Sequence, residues 1–202
     1  MRKVWLVSLL LLTNLLYAER TIELVVYGDM DQWLVRYVKE SKILGGQTKT
    51  LYAIAPQDTI RDNQAYVPAE GNPWGCSATY ARFMGIETAM ESSVEPEPRG
   101  YGYCCRLRNV LTHISLGNIY AMVSGTIYTG HAIEPLGLQA KNKPYTAIDF
   151  GTPFTGHPIA LMLDYKAQIS EVDSITSTAN NKPEKIAGHD CAVMYIYLQH
   201  SW

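Results

Sequence analysis

Gly151-Thr-Pro-Phe-Thr-Gly-His-Pro-Ile-Ala-Leu-Met-Leu-Asp-Tyr-Lys-Ala-Gln168 joins a glycine- and proline-rich lead-in to a segment that alternates strictly in polarity. Ile159, Leu161, Leu163, Tyr165, Ala167 and Ile169 fall on one side of a period of two, while Asp164, Lys166, Gln168 and Ser170 fall on the other. This pattern predicts a half-buried antiparallel strand starting at Ile159, with Gly151, Pro153, Gly156 and Pro158 shaping the preceding turn. Neighbouring segments extend the pattern. From Tyr103 to His113, Tyr103, Cys105, Leu107 and Leu111 form an apolar face opposite Arg106 and Arg108. Asn118 to Tyr128 and Cys191 to Gln199 are β-rich and apolar on both faces, as central strands would be. Trp33 to Lys39 fits a short strand and one side of a helix about equally well, and is read as a strand. Glu95-Pro-Glu-Pro-Arg-Gly100 has prolines without amide donors, which places it in an exposed loop or at a sheet edge. Turn signals about every ten to fifteen residues complete the expectation of an all-β, antiparallel β-sandwich or barrel.

The first residues read differently. Arg2-Lys3 followed by the apolar run from Val4 to Leu12 has the form of a secretory signal, with a cleavage point after Ala18. The run breaks at Thr13-Asn14, too early to cross a bilayer. Leu16 at the −3 position is larger than signal peptidase prefers, which leaves a retained signal anchor as the alternative; no cysteine follows to carry a lipid. The expectation is an exported chain, periplasmic, cell-surface or secreted, whose contact with membrane is limited to export or to that anchor. Residues 19–202 then form one domain of about 180 residues, enough to bury roughly two-thirds of the unfolded surface. A net charge of −2 with both signs scattered offers no basic patch for phosphates, so nucleic acid is not an expected partner.

Cys76, Cys104, Cys105 and Cys191 are an even set in an exported chain, compatible with buried free thiols or with one disulfide. Adjacent Cys104 and Cys105 would point to opposite faces of a strand and would not bridge each other without strain. There is no CxxC pair, and His113, His131, His157, His189 and His200 are dispersed without HxH or HExxH spacing, so no metal is expected. Without a GxSxG elbow or a phosphate loop, neither that hydrolase chemistry nor a cofactor is called for.

Five stretches in order carry a resemblance: Met30 to Ile54 (MDQWLVRYVKESKILGGQTKTLYAI), Asn72 to Ser77 (NPWGCS), Arg99 to Leu107 (RGYGYCCRL), Ser124 to Gly130 (SGTIYTG) and Gly151 to Lys166. Together they resemble the PCMD carbohydrate-metabolism domain family of exported Bacteroidetes proteins, over nearly all of the mature chain. The resemblance implies a β-sandwich of jelly-roll type and a role in glycan use at the cell envelope. It also implies that the chain lacks the C-terminal part of the domain, since the family continues for several strands beyond the position of Gln199.

A sugar ring presents flat C–H patches to aromatic faces and hydroxyls to polar groups, and the chain holds fourteen tyrosines against three phenylalanines. Pro98-Arg-Gly-Tyr-Gly-Tyr103 brings these chemistries together, with Arg99, Tyr101 and Tyr103 as contacts and glycines that let a ligand approach the backbone. Trp33 and Trp74 are further candidates, each readable also as a core anchor. Asp164 and Lys166, on the polar face of the Ile159 segment, would supply a polar floor or a surface ion pair. The function expected is recognition of a carbohydrate by an exported module. The alternatives are a glycoside hydrolase with a carboxylate pair roughly 5–10 Å apart, drawn from acids such as Glu40, Glu70, Glu87, Glu97, Glu134, Asp149 and Asp164, and a structural or adhesive envelope protein with no sugar site.

Overall fold

The computed structural model describes residues 21–90, 93–114, 119–137, 140, 143–169, 173–176, 183–186 and 190–199. The proposed leader lies outside the described residues. The fold is all-β, assembled from small, mostly antiparallel sheets. Its centre is strand β1 (Trp33–Lys39), paired antiparallel along its whole length with β2 (Thr48–Ile54) and in parallel with β3 (Asp58–Ile60) on its other edge. β4 (Trp74–Cys76) and β12 (Ile148–Phe150) flank β11 (Ile127–Ala132). Four hairpins complete the set: β5 (Tyr80–Phe83) with β6 (Ile86–Ala89), β7 (Val94–Pro98) with β8 (Tyr103–Leu107), β9 (Val110–Ile114) with β10 (Ile119–Val123), and β13 (Asp173–Thr176) with β14 (Pro183–Ile186).

The local chemistry accounts for these elements. In β1 the alternation of Leu34, Arg36 and Val38 sends three side chains to a fully buried face, which decides in favour of a strand over a helix. Met84 and Gly85 both have positive φ, 48° and 80°, as the tight two-residue turn between β5 and β6 requires. Among the described residues β7 is paired on one side only, by β8, so its prolines occupy the edge position expected of them.

The core has both faces of the β1–β2 pair covered. On one face, Val38 and Leu51 pack with Ala78, Tyr80 and Ala89 of the β5–β6 region, and Leu34 and Ala53 pack with Ala55, Ile60 and Tyr66. On the other, Trp33, Tyr52 and Ile54 meet Val94 of β7, Cys105 of β8 and Trp74 of β4. Each large aliphatic side chain so buried contributes roughly 1.5–3 kcal/mol.

Between the two clusters of the first face lies Arg36. Its side chain and that of Glu134 are each 2 % exposed. The Glu134 carboxylate accepts hydrogen bonds from both Arg36 guanidinium Nη atoms, one at 3.0 Å, and from the backbone amides of Tyr66 and Tyr80, each at 2.9 Å. Arg36 also stacks over the Tyr66 ring at 5.2 Å. A carboxylate has about four lone-pair positions, and here all are used. One charged group therefore ties β1, the 61–68 loop and β5 to the segment after β11.

Three parts of the chain differ from the sequence-based expectation. Residues 151–169 belong to no strand, and Ile159, Leu161, Leu163 and Tyr165 are exposed instead of buried. Likewise, Cys191 to Gln199 is not a central strand: Val193, Met194, Tyr195, Ile196, Tyr197 and Leu198 are all exposed. The physical reason is that alternation specifies which face a strand would bury, whereas a strand also needs a hydrogen-bonded neighbour and a covering layer. Neither segment has a sheet neighbour among the described residues. The predicted strand from Tyr103 to His113 is in fact two, β8 and β9, each pairing with a different partner.

Removing half of a buried ion pair leaves a charge without compensation. Glu134→Gln should lose about 3–5 kcal/mol of unfolding free energy in urea, and the Arg36→Met/Glu134→Gln double variant should recover part of it. A double variant no more stable than the single one would show that the charge of Arg36 is not what makes the single change costly.

Candidate functional site

Five of the seven candidate residues converge where the loop from Val26 to Asp31 meets the turn between β7 and β8. Trp33, at the start of β1, is 6 % exposed, and its indole Nε1 donates to Met30 O at 2.7 Å. The half-buried Trp74 donates from Nε1 to Val26 O at 2.8 Å. The two indoles thus hold the loop from beneath, with Trp33 edge-on to Tyr52 at 6.5 Å. Both act as anchors, Trp33 almost wholly buried and Trp74 in part.

The turn is fastened to the same loop from the other side. Arg99 Nη2 donates to Asp29 O at 2.9 Å and lies 3.7 Å from Asp31 Oδ1, while the Tyr103 amide donates to Asp31 Oδ1 at 2.6 Å. The Arg99 amide closes the turn on Gly102 O at 3.1 Å. Gly102 has φ +74°, and a Cβ there would meet Asp31 Oδ1 at 2.2 Å, so both conformation and space require glycine. The result is a pinned turn that projects Tyr101, 90 % exposed, with Tyr103 beside it less exposed. Asp29, Asp31 and Arg99 border the two rings with acceptors and donors. Asp164 and Lys166 are exposed on residues 151–169, outside this group.

A second polar cluster surrounds the Arg36–Glu134 pair. A cavity of about 20 Å³ is lined by Arg36, Tyr66, Cys76, Thr79, His131 and Glu134, among others. That volume suits one water molecule and cannot take a sugar ring. Arg36 Nε and Tyr66 Oη are buried there without a protein hydrogen-bond partner, and both could bond to such a water. Sequence reasoning did not single out this pair. The available signal was an arginine between Leu34 and Val38 on the buried side of a strand, a position that demands an anionic partner.

Carboxylates elsewhere are similarly committed. Glu40, 8 % exposed, accepts from Thr88 Oγ1 at 2.7 Å and pairs with Lys49 Nζ at 3.2 Å. Glu87 accepts from Tyr80 Oη at 2.6 Å and from Asn63 Nδ2, and these two hydrogen bonds hold its carboxyl below the usual carboxylate range.

All four cysteines are free thiols. Cys104 Sγ donates to Glu97 O at 3.5 Å while Cys105 packs into the Trp33 cluster, the opposite orientations expected of neighbours in a strand. Burial pushes the Cys76 thiol up to about 11 and the Cys105 thiol up to about 12. Burial also raises the hydroxyls of Tyr80 and Tyr128 to about 12, helped at Tyr80 by its bond to Glu87. Such thiols are inert at neutral pH. Among the described residues, no group of three or more His, Cys, Asp or Glu converges to hold a metal ion.

These shifts set the pH dependence of stability. The unfolded chain loses thiol protons near 9 and tyrosine protons near 10, whereas the folded chain keeps them to about 11–12. The urea midpoint should therefore be flat near neutrality and fall as pH rises from about 9 to 12, and Cys105→Ala should soften the early part of the decline. On the acid side, the contribution of Glu87 is present above the ordinary carboxylate value and is lost as pH falls through its lower folded value. A midpoint that stays level to pH 11 would contradict the buried-thiol and buried-tyrosine description.

Comparison with known protein families, with curated proteins and with solved structures finds no match for this chain.

Proposed function

We propose that this chain is an exported glycan-binding module of the bacterial envelope and that the Arg99–Tyr103 turn is a contact for carbohydrate. The observation that carries the reading is the tyrosine at the apex of that turn: a ring 90 % exposed, on a backbone pinned to Asp29 and Asp31. Holding an apolar ring in water on a fixed turn costs solvation that a ligand would recover, and pinning lowers the entropy lost on binding. Asp29, Asp31 and Arg99 supply the acceptors and donors that sugar hydroxyls require. The signal-like sequence of residues 1–18 and the resemblance to the PCMD family, with its jelly-roll type of sandwich, support export and glycan use.

Recognition is favoured over hydrolysis by the state of the enclosed acids. A general acid for glycoside cleavage needs a carboxyl raised toward neutrality. Glu87 is shifted the other way, and Glu134 has every lone pair engaged by Arg36 and two backbone amides.

Titration with maltohexaose, cellohexaose and chitohexaose tests the proposal. At least one should bind, Tyr101→Ala should weaken it about tenfold, and Tyr101→Phe should retain most of the affinity. Gly102→Ala should weaken binding too, because its Cβ would displace Asp31 and release the turn. Absence of binding at millimolar sugar, or a Tyr101→Ala variant with unchanged affinity, would contradict the reading.

A further inference from the structure

We propose that the corner where the β1–β2 turn meets the β5–β6 hairpin is a docking surface for a lipid bilayer carrying anionic headgroups. The two are stapled to each other. The Ser41 amide donates to Glu87 O at 3.0 Å, the Glu87 amide donates to Ser41 Oγ at 2.8 Å, and Thr88 Oγ1 donates to Glu40 Oε1 at 2.7 Å. Within the first turn, the amides of Leu44, Gly45 and Gly46 all donate back to the carbonyls of Ser41 or Lys42. The hairpin ends in the two-residue loop at Met84 and Gly85, closed by Phe83 opposite Ile86. Both turns are therefore shaped before any partner arrives, which lowers the entropy lost on docking.

What the corner presents is apolar and basic. Ile43 is 61 % exposed, Phe83 42 % and Met84 86 %. The φ of Met84, 48°, is left-handed backbone where asparagine or glycine is the usual choice, so the fold bears some strain while holding a long apolar side chain in water. Residues 39–49 and 82–87 carry Lys39, Lys42, Lys49 and Arg82 against Glu40 and Glu87. Both acids are engaged within the fold, Glu40 with Thr88 and Lys49, Glu87 with Tyr80 and Asn63. Lys39, Lys42 and Arg82 are exposed. An excess of two positive charges is thus gathered at one corner of a chain whose net charge is −2.

Apolar tips flanked by cations match the interface of an anionic bilayer, where the apolar side chains enter the acyl boundary and the ammonium and guanidinium groups stay among the phosphates. A bilayer accepts separate projecting side chains, whereas a stable protein interface needs a continuous packed area. The corner lies at the Lys39 end of β1, and the Arg99–Tyr103 turn is tied to the loop before Trp33 at the other end. At the rise of a strand those ends are about 20 Å apart, which keeps the two surfaces separate. The contact is also distinct from the signal-like residues 1–18, and it does not depend on the glycan reading.

The test is co-sedimentation of the full chain with vesicles of phosphatidylcholine alone and of equal parts phosphatidylcholine and phosphatidylglycerol, across variants that all retain residues 1–18. Wild type should bind the mixed vesicles and release them as salt rises. Met84→Asn, which suits the backbone better, should keep or raise the urea midpoint while weakening vesicle binding about tenfold. Lys42→Glu, which reverses a charge, should weaken it about thirtyfold. Tyr145→Ser, at a residue 68 % exposed outside the corner, should leave it unchanged. Equal binding to both kinds of vesicle, or Met84→Asn and Lys42→Glu variants that bind as wild type does, overturns the proposal. A dimer in sedimentation velocity that Met84→Asn dissociates would assign the corner to a second copy of the chain, and overturns it as well.

Discussion

The carboxylate of Glu134 is the constraint on which the rest of the architecture depends. It lies in the chain segment after β11, yet its four hydrogen bonds go to β1, to the loop carrying Tyr66 and to the first residue of β5. Burying an ion pair costs several kcal/mol per charge, and the cost is offset only when geometry is good and remaining lone pairs are filled. Here they are filled by backbone amides that would otherwise need acceptors of their own. Hydrophobic burial around it is non-directional and would tolerate sliding, whereas a bidentate arginine fixes position and angle. The pair thus ties the three-stranded β1 sheet and the two-stranded β5–β6 sheet to one point.

The candidate surface takes its rigidity from that frame. β1 carries Arg36 in its middle and Trp33 at its start, so the strand anchored by Glu134 also fixes the indole that holds Met30. From Met30 the constraint passes along the loop to Asp29 and Asp31, and from there to Arg99 and the Tyr103 amide. A binding turn so supported presents Tyr101 without having to order it on contact with a ligand. Trp33 and Trp74 act as positioning residues in this scheme, holding the loop that holds the turn.

The all-β class was legible in the sequence, because alternation and turn residues recur along the chain and β1 keeps its pattern of Leu34, Arg36 and Val38. The sequence reads the glycine at 102 as room for a ligand against the backbone, whereas the structure fills that room with the carboxylate of Asp31. Pairing was much less legible. Ile159 to Ile169 and Cys191 to Gln199 have good strand patterns and no sheet neighbour among the described residues, because a pattern names a face and not a partner. The union of Arg36 with Glu134, ninety-eight positions apart, was out of reach for the same reason: nothing local in either residue says which opposite charge will be brought to it. The roles of Trp33 and Trp74 turned on their indole N–H groups finding carbonyls in a loop that the sequence alone does not bring near them.

The central claim is that one buried carboxylate holds several elements together, and native-state hydrogen exchange of the amides that it accepts tests this most directly. The Tyr66 amide belongs to a loop, where exchange is ordinarily fast. The account predicts that Tyr66 and Tyr80 amides exchange only with global unfolding, at rates matching the slowest amides of β1, and that both become fast together in Glu134→Gln. A Tyr66 amide that exchanges at the rate of its loop neighbours would contradict it.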